Sequence, residues 1–160
     1  KAASLDKVIE ITMPHLIKAG RIPENPDEKT KKWAEEIIAL YQEQLAYGAE
    51  IVELTELFFK DDVVYDDEAK EVLSGEQVIE VLQVFTDKLI HLDEFTHDQI
   101  KEQIKATQKE TKQRGRKLFM PIRVATTGQT NGPELPKAIE LLGKEVVLAR
   151  LDKVLKELGA

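Results

Sequence analysis

The sequence contains no cysteine, so the residues that could do chemistry in this chain are histidines, carboxylates, arginines, lysines and hydroxyl-bearing side chains. Thiolate catalysis, disulfides and Cys-based zinc sites are therefore excluded. The three histidines, His15, His91 and His97, lie on separate predicted helices without an acidic or cysteine partner at a diagnostic spacing. The sequence also lacks a phosphate-binding glycine loop and a nucleophile motif. We therefore predict no catalytic residue, no metal site and no cofactor in this chain.

Cationic side chains are concentrated in residues 101–123, named the basic strip here. The strip carries eight Lys or Arg and two acidic residues, a local charge of +6 in a chain of net charge −7. Residues 43–98 carry sixteen acidic residues and three Lys, a local charge of −13. This segregation fits a polyanion that binds one side and is repelled by the other. On charge alone, a solvated helix surface is an equally good interpretation.

The segment 114–135 joins part of this strip to an aromatic residue and to a loop rich in Gly, Thr, Asn and Pro. Its pattern predicts a short helix with Pro121 in the first turn and Gly128 just past the end. The dipeptide Gly132-Pro133 would expose backbone that another molecule can approach closely, because glycine has no side chain.

Helical periodicity runs through the whole chain and no alternating strand pattern occurs, which predicts an all-α fold of about eight or nine helices. The first helix is expected to be kinked or split near Pro14. Asp27 would cap the second helix, which should end or bend near Tyr47-Gly48. Thr96 starts a long polar helix with a capping-box signal.

With 160 residues, 42% of them hydrophobic, the chain can bury a core as one domain or two small ones. We place two helical subdomains at residues 1–95 and 96–160. The apolar runs are too short to cross a bilayer and no signal peptide is evident, so we expect a cytoplasmic protein without a membrane or DNA partner. The first residue is not Met, which favours a fragment or a processed product.

Three runs resemble the C-terminal end of bacterial glutamyl-tRNA synthetases: the segment from Arg114 to Gly128, the Asn-Gly-Pro-Glu-Leu at 131–135, and the Ile-Glu-Leu-Leu-Gly-Lys-Glu-Val-Val-Leu-Ala-Arg-Leu that follows. The Tyr-Gly-Ala-Glu-Ile-Val-Glu-Leu-Thr-Glu-Leu-Phe-Phe at 47–59 resembles that family as well. The resemblance covers nearly the whole chain and is most specific from Leu118 to Leu151. It implies an all-helical body that binds the tRNA anticodon. The family's catalytic domain, which uses ATP and Mg²⁺, has two signature motifs that are absent here, so the chain would be part of a longer ligase.

The resemblance also assigns roles to individual residues. Arg123 matches a position whose arginine contacts anticodon nucleotides, and a planar guanidinium suits base edges, phosphate and stacking. The alternative is that Arg123 forms an ion pair within the protein. Gly132, Pro133 and Leu135 fall where relatives offer backbone and apolar contacts to splayed bases, although relatives often carry other residues at position 132. Exposed cations would position phosphates without reading sequence; these are Lys112, Arg114, Arg116 and Lys117.

Gly48 marks a departure from one branch of this family. Members that accept only tRNA-Glu carry an arginine at about this position, which is thought to read the third anticodon base. Without it, the parent enzyme would accept tRNA-Gln as well as tRNA-Glu. The alternative is that Gly48 is only a bend between helices.

The expected partner is therefore tRNA-Glu, with tRNA-Gln under the hypothesis for Gly48, bound by a monomer. A different class of function remains open on composition alone. An acidic helical bundle with exposed Lys- and Gln-rich helices could be a protein-interaction module without RNA specificity. A small helical enzyme is disfavoured, because no nucleophile or metal site is identifiable.

Overall fold

The computed structural model describes residues 4–45, 48–60 and 63–160, which form α-helices and short 3₁₀ turns and no β-strand. The all-α prediction is confirmed, with nine α-helices in these residues. The chain divides after Lys60 into two compact units.

The first unit contains three α-helices and two 3₁₀ turns. The α-helices are α1 (Leu5–Lys18), α2 (Glu28–Tyr41) and α3 (Glu50–Leu54), and the turns are Gln42–Gln44 and Glu56–Phe58. α1 packs against both α2 and α3. Leu16, Ile37 and Ile51 are fully buried at these contacts, so hydrophobic burial holds the unit together.

The helix ends of the first unit agree only in part with the sequence pattern. α1 runs continuously through Pro14 and is not split. Asp27 caps α2 as predicted, because its side chain accepts a hydrogen bond from the Thr30 backbone N–H at 2.7 Å. That bond holds the pKa of the Asp27 carboxyl below its ordinary value of 3.8.

α2 ends at Tyr41, earlier than the predicted end near Tyr47-Gly48. Tyr41 is buried and its ring packs edge-on against Phe58, with 6.1 Å between ring centroids. This tertiary contact accompanies the change from α-helix to 3₁₀ turn, a change that local helix propensity does not signal. Tyr47 itself lies outside the described residues.

The second unit contains the remaining six described α-helices. These are α4 (Asp67–Leu73), α5 (Val78–Ile90), α6 (His97–Thr111), α7 (Arg116–Thr127), α8 (Leu135–Leu142) and α9 (Lys144–Glu157). α7 packs against α4, α5 and α9, whereas α8 packs against α6 and α9. α7, the helix that carries three of the candidate residues, is therefore held on several sides.

α6 begins where the capping-box signal places it, since the Thr96 side chain accepts a hydrogen bond from the Gln99 backbone N–H at 3.3 Å. The predicted subdomain boundary at 95/96 falls between α5 and α6. These two helices pack directly against each other inside the second unit. The division into subdomains 1–95 and 96–160 therefore stays a prediction about function rather than a description of the compact units.

Candidate nucleic-acid interface

α7 has one buried face and one cationic face. Leu118 and Ile122 are fully buried, whereas Arg116 is exposed and Arg123 is half-buried on the opposite side. Because residues three, four and seven positions apart share a helix face, Arg116 and Arg123 lie on the same side. Burial of the apolar face fixes the direction in which the two guanidinium groups project.

Pro121 lies in the interior of α7 and not in its first turn, so the predicted helix start was wrong. α7 begins five residues earlier, at Arg116. A proline has no N–H, so the carbonyl of Lys117 four residues before it loses its helical partner. The Gln77 side chain supplies a donor instead, with 3.3 Å between its Nε2 and the Lys117 oxygen. This bond and the buried Leu118 both lie in the part of α7 that precedes Pro121.

The C-terminal end of α7 is closed by several hydrogen bonds. Gly128 adopts φ +78° and its N–H donates to the Val124 carbonyl at 2.8 Å, which confirms the predicted glycine end. The buried Arg150 of α9 donates from Nη1 to the Thr126 carbonyl at 2.7 Å. A cation at a helix C-terminus is stabilising, because the carbonyl ends carry partial negative charge. The sequence pattern did not reveal the role of Arg150.

The structure brings Arg123 together with the loop that follows α7. The Arg123 guanidinium donates from Nη1 to the Pro133 carbonyl at 2.9 Å. A Cβ at Gly132 would lie 3.1 Å from the same nitrogen, so the glycine leaves room for the guanidinium. Three of the predicted site residues are therefore neighbours in space. Their cluster is named the Arg123 loop here and comprises Arg123 and residues 128–134.

Leu135 is buried, unlike Gly132 and Pro133 before it in the sequence. It is the first residue of α8 and only 3% exposed, so its side chain belongs to the hydrophobic core. Gly132 is exposed and Pro133 half-buried. The contact of Leu135 with a splayed base stays a prediction, in which the buried side chain contributes packing. Leu135 anchors the loop where α8 begins.

Two further contacts join the Arg123 loop to other parts of the second unit. Thr130 donates its hydroxyl to Glu68 at 2.7 Å. His97 Nε2 lies 2.7 Å from a Glu134 carboxylate oxygen, and its Nδ1 lies 3.1 Å from an oxygen of Asp98. The sequence pattern did not reveal the pairing of His97 with Glu134, because Glu134 is distant along the chain. These contacts hold the middle and the C-terminal end of the loop.

The basic strip continues around the junction of α6 and α7. Lys112 ends α6 in the left-handed conformation, with φ 62°. The four predicted phosphate-binding cations are all exposed; they are Lys112, Arg114, Arg116 and Lys117. Lys112 and Arg114 line a surface depression of about 350 Å³ with Gln108 and Lys109. This edge offers a polyanion closely spaced cations that are accessible to solvent.

Gly48 belongs to the first unit and lies beside α1. A Cβ at this position would be 3.1 Å from side-chain atoms of both Ile11 and His15. Such distances are tight, so even alanine would require the neighbours to shift slightly. Close packing against Ile11 and His15 is therefore a second reason for glycine at position 48, besides the hypothesis about tRNA discrimination.

Within residues 4–45, 48–60 and 63–160, no three His, Cys, Asp or Glu side chains form a group that could hold a metal ion. None of the described helices combines the length and apolar character needed to cross a membrane.

Comparison with known proteins settles the family. The model of the anticodon binding domain family matches residues 7–155. The chain belongs to this family. Among similar curated proteins, the glutamate–tRNA ligase of Oceanobacillus iheyensis is 70% identical over 160 residues, 100% of this chain and 33% of that protein. The glutamate–tRNA ligase of Bacillus licheniformis is 62% identical over 156 residues, 98% of this chain and 32% of that protein.

Solved structures agree with this assignment. A crystal structure of a glutamate tRNA ligase from Elizabethkingia meningosepticum, in complex with its amino acid, matches 96% of this anticodon-binding domain and 29% of that chain. Its TM-score is 0.79 and its sequence identity 25%. A glutamate-tRNA synthetase from Elizabethkingia anophelis gives a TM-score of 0.76 at 24% identity over 96% of this chain and 29% of that one, which supports the fold. The domain spans about one third of the length of the curated relatives it matches.

Proposed function

We propose that this anticodon-binding domain recognises the anticodon stem-loop of tRNA-Glu and does so as a monomer. The observation that carries the proposal is the Arg123 loop at one end of the cationic face of α7. There a guanidinium is held by the Pro133 carbonyl beside an exposed glycine. Unstacked loop bases are read by such planar groups and by backbone at close range.

The exposed cations of the basic strip supply the second part of the interaction. Lys112, Arg114, Arg116 and Lys117 would contact phosphates and orient the stem-loop without reading its sequence. Affinity should therefore fall as salt rises, because bound cations release counterions from the RNA. Leu135 would act indirectly, by holding the loop against the core.

We further propose that the protein containing this domain is a glutamate–tRNA ligase. The high identity to two proteins of that name supports the proposal. ATP and Mg²⁺ would be bound by the part of the ligase outside this chain. Within this domain the work would be binding alone, on the surfaces described above.

A binding assay at several salt concentrations tests the RNA-binding proposal. The domain would be titrated with a tRNA-Glu transcript and with the same transcript carrying a scrambled anticodon. Arg123→Ala should remove most of the preference for the correct anticodon, about tenfold in affinity, which is the usual discrimination of one specific side chain. Arg114→Ala is the matched control, because it should weaken both complexes alike and reduce the salt dependence. Equal binding of both transcripts by the unaltered domain, without salt dependence, would instead favour a protein-interaction module.

The hypothesis at Gly48 is tested separately with tRNA-Glu and tRNA-Gln transcripts. We propose that the glycine permits both tRNAs, so the unaltered domain should bind them with similar affinity. Gly48→Arg should then favour tRNA-Glu, whereas Gly48→Ala reports the effect of crowding Ile11 and His15 without a charge. If Gly48→Arg still binds the two tRNAs equally, the hypothesis is wrong.

A further inference from the structure

Phe119 is an exposed aromatic residue in the middle of the cationic face of α7. It is 41% exposed and lies three residues after Arg116 and four before Arg123. Residues at these spacings are neighbours on a helix surface. α7 contains no Asp or Glu, alone among the α-helices of the described residues. The ring therefore lies between two arginines on a helix that has no negative side chain.

Several other aromatic rings of the described residues have partners within the protein. Trp33 packs edge-on against Phe59, and the Tyr65 hydroxyl donates to the Ala125 carbonyl. An exposed phenyl ring adds less to folding, because hydrophobic stabilisation scales with the apolar area removed from water. Its position therefore points to a ligand that covers it.

The chemistry of the surrounding face indicates which ligand that is. Nucleobases stack on aromatic rings in sites for single-stranded nucleic acid, and basic side chains beside the ring bind the backbone. Protein partners also use aromatic and arginine anchors. A face with Arg116 and Arg123 and no carboxylate on its helix is complementary to a polyanion, so RNA is the better occupant.

We propose that Phe119 stacks on one unpaired base of the RNA loop, between the cations at Arg116 and Arg123. This inference rests on the proposed RNA-binding function and extends it by a contact that is independent of base identity, because every base has a π-face. Arg123 and its loop select the sequence. Phe119 contributes affinity.

The test compares Phe119→Leu with Phe119→Tyr in the salt-titrated assay with both transcripts. Loss of a stacking ring typically weakens binding by about tenfold, so Phe119→Leu should bind both transcripts about tenfold more weakly. Its salt dependence should be unchanged, because no charge is removed. Phe119→Tyr keeps an aromatic face and should stay within about twofold of the unaltered domain. The matched control is Ile90→Ala on α5, which is 52% exposed in the same unit and should not alter binding.

A second measurement needs no variant. The tRNA-Glu transcript would carry 5-iodouridine at single positions of the anticodon loop, and near-ultraviolet irradiation would couple it to a ring stacked on it. We expect a cross-link at Phe119, identified by peptide mass spectrometry. Cross-links that map only to other residues would overturn the proposal, and so would a Phe119→Leu domain that folds and binds RNA as tightly as the unaltered one. Failure of the unaltered domain to bind RNA with any salt dependence would instead refute the proposed function itself.

Discussion

Replacing Arg150 by methionine should destabilise the second unit by removing the cation that closes α7. Arg150 is 4% exposed, and its Nη1 lies 2.7 Å from the Thr126 carbonyl, which belongs to the last turn of the helix. Methionine fills a similar volume but has no donor. The variant therefore leaves a buried carbonyl without this partner.

The magnitude follows from two stabilising terms and one opposing term. A hydrogen bond with a charged donor contributes about 1.5–3 kcal/mol, and the interaction of a cation with a helix C-terminus adds about 0.3–2 kcal/mol. Methionine avoids the desolvation cost of a buried guanidinium, which offsets part of this loss. The free energy of unfolding should fall by about 2 kcal/mol for Arg150→Met.

The assay is urea unfolding followed by far-ultraviolet circular dichroism. We expect a lower midpoint concentration with an unchanged slope, since only stability and not exposed surface should differ. Arg150→Lys keeps the charge and one donor and should recover about half of the loss. Arg114→Met, at an exposed arginine, is the control and should change the free energy by less than about 0.5 kcal/mol. An Arg150→Met domain as stable as this control would refute the reasoning.

Three further predictions concern stability. Gly128 and Gly20 have almost the same φ, +78° and +77°, but only a Cβ at Gly128 would meet another side chain, at 2.9 Å. Gly20→Ala should lower the free energy of unfolding by about 1–2 kcal/mol, because alanine is strained in the left-handed conformation, and Gly128→Ala should lower it by more. Thermal unfolding of the two variants would measure the difference. Gln77→Ala should lower the free energy of unfolding by about 0.5 kcal/mol when Pro121 is present. It should have no effect in a Pro121→Ala background, where the backbone N–H of residue 121 can bond the Lys117 carbonyl. A double-mutant cycle measures this coupling. The N-cap hydrogen bond from Thr30 lowers the pKa of the Asp27 carboxyl below 3.8. The stabilisation that the Asp27 carboxylate gives is therefore present above pH 3.8 and lost as pH falls through the folded-state pKa. Asp27→Asn keeps a capping oxygen and should lose this part of the acid dependence, whereas an unchanged acid profile would contradict the assignment.

Local signals in the sequence were reliable where a short-range interaction decides the structure. The N-caps at Asp27 and Thr96 and the glycine end at Gly128 are all observed. Each depends on a hydrogen bond or a backbone conformation within a few residues, so the local sequence contains the whole cause. The helical periodicity likewise gave the all-α class, because it reflects which residues a helix buries.

Local signals failed where a distant residue intervenes. The pattern placed Pro121 at a helix start, but Gln77, forty-four residues earlier in the chain, bonds the carbonyl that the proline leaves unpaired. α2 ends at Tyr41 although the residues that follow are good helix formers, and the buried Tyr41 ring packs against Phe58. Neither partner can be identified from a window of neighbouring residues.

For the candidate interface, the sequence alone determined the concentration of positive charge and the residues available to contact RNA. It also supplied the resemblance that the family comparison confirmed. Tertiary structure decided which of these residues meet: it placed Arg123 beside Gly132 and Pro133, buried Leu135 and left Phe119 exposed. The physical reason is that side-chain chemistry is fixed by residue type, whereas proximity and exposure depend on how helices distant in sequence pack together.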